Sequence, residues 1–397
     1  MAQSIKDRVA IIGMGCTKFG ELWNKSVSDL MVDAAYDAFA DAGIEPKDVD
    51  AAWIGNWQEV SGMSGLGLAG LRLQYKPITR VENMCCTGTD ALRNCSYAVA
   101  SGVIDVGLAI GAEKLKDMGF AGLVSVSPPG TAGVGGITTT APAIFAMLAT
   151  RYFNHYNIKP DDGRRMLAHV SMKSHHNGNM NPKAHFHKEI TIEQAINAPI
   201  IAWPLGLFDC CGVSDGGAAA IVVRAEDAKK FKKNRDYITI KGIQMCTGPA
   251  EGVVKPEYDF LHTEETTRAA IAVYKEAGIK NAREEIDMAE VHDCFSITEA
   301  IVMEDLQFSK RGNMKEDIES GFFDITGGLP VQPDGGLKCF GHPVGATGLR
   351  MMYEMYLQLL GKAGKRQIKN PKLGLTHNLG SMPMACVISC AIVGLPE

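Results

Sequence analysis

The chain has 397 residues, 46% of them hydrophobic, with a net charge of −5 and a pI near 6.1. That is enough to bury a large core in two or three domain-sized units. It excludes a basic nucleic-acid footprint, and no apolar run reaches the length of a membrane span. Eleven cysteines, an odd number without CxxC spacing, follow a polar N-terminus lacking a signal-peptide core. They predict reduced thiols in a cytoplasmic protein, with neither a disulfide framework nor a metal site.

In chain order, residues 8–14 read as a buried parallel strand. Gly13, Gly15 and Gly20 do not have GxGxxG spacing and open no helix, which excludes a dinucleotide site. Ser26 to Asp29 offers caps for an alanine-rich helix that ends at Gly43, and residues 50–55 form a short strand. A β-rich run, 77–81, leads into Asn83-Met84-Cys85-Cys86-Thr87-Gly88-Thr89-Asp90. There Gly88 loosens a corner, and a helix follows over 90–100, stopped by Gly102. Residues 106–111 are another strand.

From 113 to 204 the character changes. A Gly/Pro/Ser/Thr-rich loop (125–140) precedes helical patterns at 141–154 and 161–177, too long a stretch for an ordinary connection. Strand signals resume at 217–223, and the basic segment 229–235 reads as a solvated linker.

A second half then repeats the first. Residues 34–44 align with 269–279, and each helix leads through a polar loop into a short strand, 49–54 and 286–291. Ala91-Leu92-Arg93 opens a helix in one half and Gly348-Leu349-Arg350 in the other, with a strand at 373–376 after the second. The organisation expected is α/β: a first half of 1–116 plus 208–235, an inserted loop subdomain of 117–207, and a second half of 236–397.

Four segments carry chemistry. Cys85 at a strand-to-helix corner faces unpaired N–H groups and the positive helix end, which favour the nucleophilic thiolate; the alternative is a buried structural cysteine. His292-Asp293-Cys294-Phe295 follows a strand end, where α/β folds place functional groups, and Asp293 can cap a helix from Ser296. His342, in Gly341-His342-Pro343-Val344-Gly345-Ala346-Thr347-Gly348, sits in a rigid loop before a helix from Leu349, suited to proton transfer. His377-Asn378-Leu379-Gly380 ends a strand and offers backbone N–H groups for an oxyanion hole, or else a plain polar turn. His175-His176 and His185-x-His187 read as surface histidines, and Cys210-Cys211, Cys386 and Cys390 as packing residues.

Cys85-x-Thr87-Gly88, Gly341-His342-Pro343 with Gly345-Ala346-Thr347-Gly348, and the duplicated α/β organisation resemble the thiolase superfamily over essentially the whole chain. His292-Asp293-Cys294-Phe295 and His377-Asn378-Leu379-Gly380 are similar to its sterol-carrier-protein-type branch; Asn378 stands where the common type has a catalytic cysteine. The resemblance implies thiolase-like α/β/α/β/α halves with an inserted loop subdomain and an acyltransferase that cleaves a 3-oxoacyl-CoA with coenzyme A as co-substrate. It implies Cys85 as the acyl-carrying nucleophile, His342 as its base, and Cys294 as the second acid/base. His292 with His342 would hold the enolate oxygen, and the N–H groups of Cys85 and Gly380 the tetrahedral intermediate. It also implies a homodimer pairing through strand 77–81.

A further likeness is to thiolase subunits acting on (S)-2-benzoylsuccinyl-CoA in aromatic degradation, which pair with a small OB-fold, zinc-ribbon protein. Arg80, Arg93, Lys114, Lys116, Arg151 and Lys338 are possible partners for the substrate's second carboxylate. Ser381-Met382-Pro383-Met384 departs from the glycines usual after Gly380. Together with the Met and Gly content of 62–70 and 118–130, it suggests an unusual acyl pocket. The competing readings are a Claisen-condensing synthase and a non-catalytic CoA-binding scaffold.

Overall fold

The computed structural model describes residues 4–57, 69–73, 75–118, 140–234, 236–250, 258–383 and 385–396. The strands at the centre of the sheet are apolar on both faces, so they are covered by helices on both sides. Among them β1 (Val9–Cys16) and β4 (Val106–Glu113) are buried at every position. Around them lie β2 (Ala51–Gly55), β3 (Ile78–Val81), β7 (Gly216–Arg224), β8 (Ile238–Thr247), β9 (Met288–Glu290), β10 (Leu373–Met382) and β11 (Ala385–Gly394). The order is β3-β2-β4-β7-β1-β8-β11-β10-β9; β5 (Ile200–Ala202) and β6 (Leu205–Gly206) pair separately.

The sheet is the duplication made visible. Outward from the centre, β1, β7, β4 and β2 are matched by β8, β11, β10 and β9. In each set the β4–β7 or β10–β11 pair is antiparallel and the β2–β4 or β9–β10 pair parallel. The halves meet along β1 and β8, through Ala10↔Thr239 and Ile11↔Ile238. The expectation of a parallel β1 is corrected: it runs antiparallel to both β7 and β8. A continuous apolar run reports burial on two faces, not strand direction.

Side chains alternating along β1 face two different cores. Ala10 and Ile12 meet Ala34 and Ala38 of the helix Val27–Ala42 on the outer face. Val9 and Ile11 meet Leu92 and Leu349 on the inner face, where the helices Thr87–Ala100 and Val344–Leu359 pack together between the halves. The helix Glu264–Ala277 covers the outer face of the second half. The result is five layers, α/β/α/β/α.

The helix Val27–Ala42 has the expected limits, with a Ser26–Asp29 capping box and Gly43 in the left-handed region at φ 73°. Gly13 serves packing: a Cβ there would lie 2.5 Å from the Ala42 backbone nitrogen.

Between β4 and β7 run the helices Ala141–His155, Pro160–Asn179 and Ile192–Ile196 and the β5–β6 hairpin. The expected 125–140 loop falls almost wholly outside the described residues, as do most of 62–70 and 118–130. Where a linker was expected at 229–235 there is a short helix, Ala228–Phe231. Among the described residues no helix is long and apolar enough to cross a membrane.

Two boundaries move in ways that matter. The helix expected from Leu349 begins at Val344, so Gly345 and Gly348 lie inside it. The Cys85 helix begins at Thr87, so Gly88 is its second residue and not a loose corner. These glycines let the two inner helix starts cross. A Cβ on Gly88 would lie 2.8 Å from the Gly345 carbonyl oxygen, and one on Gly111 would overlap that same oxygen. Gly111→Ala should therefore destabilise the fold by about 1–3 kcal/mol, the usual cost of overpacking. It would be read as a lowered urea midpoint; a midpoint equal to wild type would mean that the crossing is looser than described.

Candidate functional site

Cys85 stands on a tight turn just ahead of its helix. Met84 is at φ 48°, a left-handed conformation uncommon for a long side chain, and it bends the chain sharply after β3. Thr87 locks the bend: its Oγ1 accepts from the Asn83 N–H (2.9 Å) and donates to the Met84 carbonyl (2.5 Å). The Cys86 N–H bonds the Asn83 carbonyl at 3.0 Å.

Cys85 is buried, and burial pushes its thiol above the ordinary range, with neighbouring Cys86 adding to the rise. The backbone N–H of Ser381 hydrogen-bonds the sulfur and opposes the shift without overcoming it. The expected thiolate is thus corrected: desolvation outweighs the helix end, and the resting group is a thiol.

His342 follows Gly341 (φ 79°) and precedes Pro343. Its Nδ1 lies 2.7 Å from Thr347 Oγ1, which itself donates to the Pro343 carbonyl at 2.9 Å. Thr347 must therefore accept from Nδ1–H, which assigns the lone pair to Nε2. That atom is buried without a hydrogen-bond partner among the described residues, as is His292 Nδ1. The two rings meet edge to face at 4.9 Å and 80°. Cys85 Sγ and one ring nitrogen from each histidine all lie within 4.8 Å of one another, at separations a metal ion could also draw together. Burial, helped by the Arg350 charge, pushes the His342 pKa down to about 3; burial and then the neighbouring His342 hold His292 well below its usual value. Both imidazoles are neutral at physiological pH.

Cys294 closes the group. It is buried, contacts Thr298 Oγ1 at 3.6 Å, and interacts electrostatically with Cys85. Burial raises its thiol pKa too. Gly380 lies inside β10, not in a turn after it, because the strand continues to Met382. A Cβ there would lie 3.0 Å from Met84 Cβ, so it sits against the Cys85 turn, and its backbone hydrogen-bonds the Cys86 sulfur. The structure thus brings together Cys85, His292, Cys294, His342 and Gly380 from segments far apart in sequence.

The surrounding residues act as a frame. Asp293 does not cap the helix Ser296–Asp305; its carboxylate accepts from the Leu337 N–H at 2.7 Å, at the start of the helix Gly336–Phe340 that leads to His342. Burial pushes its pKa up to about 6. The Cys211 N–H bonds the Cys294 carbonyl (2.8 Å), and Ser296 Oγ donates to Asp209 (2.8 Å). Lys338 Nζ donates to the Asp209 carbonyl at 2.9 Å. Arg350, fully buried, pairs with Glu290 at 2.7 Å and with Asp334. Asn378 accepts from Thr89 Oγ1 at 2.7 Å and so ties the two halves together.

Sequence reasoning singled out Ser381 but not its left-handed φ of 75° or its N–H at the Cys85 sulfur, and it missed the roles of Thr298, Thr347 and Arg350. Thr347 alone was within reach, being part of the glycine motif. The expected surface histidines divide: His176 and His187 are exposed, but His175 is buried with Nδ1 2.9 Å from the Lys188 carbonyl. His185 is half-buried against Ser214 Oγ at 2.6 Å. Each basic residue considered for a substrate carboxylate already has an internal partner; Arg80, for example, bonds the Asn56 and Trp57 carbonyls and Lys114 pairs with Asp215.

A duplicated five-layer α/β fold with a buried thiol between two neutral imidazoles belongs among enzymes that handle acyl groups. Residues 9–226 match the family model described as thiolase, N-terminal domain, and residues 251–391 the one described as thiolase C-terminal domain-like. The chain belongs to the thiolase family and is an acyltransferase, and thiolases use coenzyme A as a substrate.

It is 38% identical to an acetyl-CoA acetyltransferase of Methanothermobacter thermautotrophicus, over 94% of this chain and 96% of that one. It is 31% identical to sterol carrier protein 2 of Gallus gallus, over 100% of this chain and 73% of the relative. It is 30% identical to the benzoylsuccinyl-CoA thiolase subunit BbsB of Thauera aromatica, over 95% of each. Among solved structures, the Ltp2-ChsH2(DUF35) aldolase superposes with a TM-score of 0.84 at 24% identity, covering both chains fully.

The raised thiol predicts how Cys85 reacts in the free protein. Its alkylation by iodoacetamide, followed by mass spectrometry of the Cys85 peptide, should be slow at pH 7 and rise about tenfold per pH unit through pH 9, because only the thiolate reacts. A rate already level between pH 6 and 8 would mean a resting thiolate–imidazolium pair instead.

Proposed function

We propose that this thiolase cleaves a 3-oxoacyl-CoA with free CoA through an acyl thioester on Cys85. The observation that carries the reading is the convergence of Cys85, His292 and His342 within 4.8 Å, with Cys294 beside them. In this reading the His342 Nε2 lone pair takes the Cys85 proton as substrate enters. The thiolate attacks the 3-keto carbon, and the backbone N–H groups of Cys85 and of Gly380, the latter turning from the Cys86 sulfur, stabilise the alkoxide. The C2–C3 bond breaks, leaving the acyl group on Cys85 and an enolate whose thioester oxygen faces His292 and His342. The Cys294 thiol protonates C2. CoA then attacks the thioester, and its thiol proton passes to a neighbouring base.

For the substrate we favour a bulky acyl group such as that of (S)-2-benzoylsuccinyl-CoA, which the same steps would split into benzoyl-CoA and succinyl-CoA. The likeness to BbsB along 95% of both chains supports this, as does the replacement of glycine by Ser381-Met382-Pro383 at the site. The higher identity to acetyl-CoA acetyltransferases favours a second reading, acetyl transfer and its Claisen reverse. A non-catalytic CoA-binding scaffold is disfavoured by the complete Cys–His–His–Cys group.

Four further points belong to the same proposal. The division is into halves 1–116 plus 208–235 and 236–397, with 117–207 as the inserted subdomain. A homodimer is supported by β3 lying at the sheet edge, where a second β3 can pair. A small OB-fold, zinc-ribbon partner is supported by the structural neighbour Ltp2-ChsH2(DUF35) aldolase, which joins a DUF35 protein to its Ltp2 chain. The cytoplasm suits the cysteines, free among the described residues.

The test is thiolysis of a panel containing acetoacetyl-CoA, longer 3-oxoacyl-CoAs and benzoylsuccinyl-CoA, with and without the partner. Cys85→Ala should abolish cleavage of every ester. Cys294→Ala should still form the acyl-enzyme, seen as added mass, while exchange of the acyl-CoA α-proton slows by about 10²–10⁴-fold. Cleavage by Cys85→Ala would overturn the mechanism. Preference for acetoacetyl-CoA would decide for the second reading.

A further inference from the structure

We propose that Cys85, His292 and His342 also form a binding site for a soft divalent transition-metal ion of the zinc class, and that the ion switches the enzyme off. The three side chains come from three separate loops, so no ligand spacing in the sequence reveals them. Their donor atoms lie within 4.8 Å of one another. Each residue is buried, and among the described residues His342 Nε2 and His292 Nδ1 have no hydrogen-bond partner. A buried imidazole nitrogen without a partner is uncompensated, and in its unprotonated form a cation satisfies it directly.

The donor set fits zinc and excludes harder cations. One sulfur and two imidazole nitrogens are soft to borderline donors, and no carboxylate belongs to the group. Zinc takes sulfur at about 2.3 Å and nitrogen at about 2.0–2.1 Å, which places ligand atoms on a tetrahedral ion roughly 3.3–3.6 Å apart. Closing from the present separations to that geometry needs only side-chain movement of about 1 Å. The fourth position is left to water. Thr347, accepting from His342 Nδ1–H at 2.7 Å, is the outer partner that holds the ring with its other nitrogen free. Each imidazole binds through its unprotonated nitrogen, so the thiol proton alone must leave: Cys–SH and M²⁺ give the Cys–S–M⁺ bond and one released proton.

A sulfur bound to the ion has given up charge density to it and is the weaker nucleophile, the ion fills the space a carbonyl carbon would enter, and an acylated sulfur is a poor ligand. Metal and acyl group therefore exclude one another. This inhibition rests on Cys85 being the nucleophile, as proposed above; the binding does not.

The experiment separates the two. Chelator-treated protein is titrated with Co²⁺ alone, a spectroscopic stand-in for zinc. A one-to-one complex with a sulfur-to-cobalt charge-transfer band in the near ultraviolet is expected, bleached by added Zn²⁺. The band should vanish in Cys85→Ala and in wild-type protein alkylated at Cys85, which keeps its fold. Thr347→Val should weaken Co²⁺ binding by about 10–100-fold, as for other outer-shell partners. Zn²⁺ should stop turnover of whichever ester proves to be the substrate, and a chelator should restore it. Absence of the band, or its persistence in the alkylated protein, would overturn the site. Its presence without inhibition would retain the site and overturn the switch.

Discussion

The structure depends on one backbone contact, the carbonyl of Gly345 set against Gly55, Gly88 and Gly111. A Cβ on any of the three would meet that oxygen at or inside ordinary contact distance. The contact joins the start of the second inner helix to a strand end, a helix start and a second strand of the first half. Cys85 lies just before one of these helices and His342 just before the other. Bringing two helix starts together backbone to backbone is thus what sets a thiol from one half beside an imidazole from the other. Side chains at these positions would separate the halves by the width of a methyl group, and a reactive pair does not tolerate such a gap.

The same burial determines the protonation state. Desolvation penalises each charged form, so the thiols of Cys85 and Cys294 rise while the imidazoles of His292 and His342 fall. The fixed charge of Arg350, held by Glu290 and Asp334, reinforces the histidine shifts. A resting site of neutral donors and acceptors needs no counter-ion. Charge then develops only when a polar substrate supplies its own stabilisation, which concentrates the electrostatic work in the transition state.

Much of this was legible in the sequence where local rules suffice. Ser26 and Gly43 marked a helix by its caps, and the 34–44 and 269–279 match disclosed a duplication that the sheet order repeats strand for strand. What failed depended on tertiary context. The direction of β1 is set by its neighbours, not by its own residues. Gly345 and Gly348 read as loop because glycine disfavours helices, whereas here helix–helix contact requires it. Asp293 looked like the cap of the helix three residues on, yet serves one 43 residues away in sequence, starting at Gly336. The reactive state of Cys85 was misjudged because a helix end can be read from a sequence and depth of burial cannot.

The last constraint is strain. Met84 and Ser381 both hold left-handed φ values, 48° and 75°, and both adjoin Cys85, one through the chain and one through its N–H at the sulfur. Such a conformation costs a non-glycine residue roughly 1–2 kcal/mol, and it persists only where surrounding structure enforces it. For Met84 the enforcement is Thr87, bonded on both sides of the turn. For Ser381 it is the β10–β11 pairing with Cys386 and the Tyr258 hydroxyl, which donates to the Pro383 carbonyl at 2.9 Å. Glycine would hold the same backbone at Ser381 more cheaply. A serine there instead keeps this strained backbone at the residue whose N–H bonds the Cys85 sulfur, so the strain sits directly beside the reacting atom.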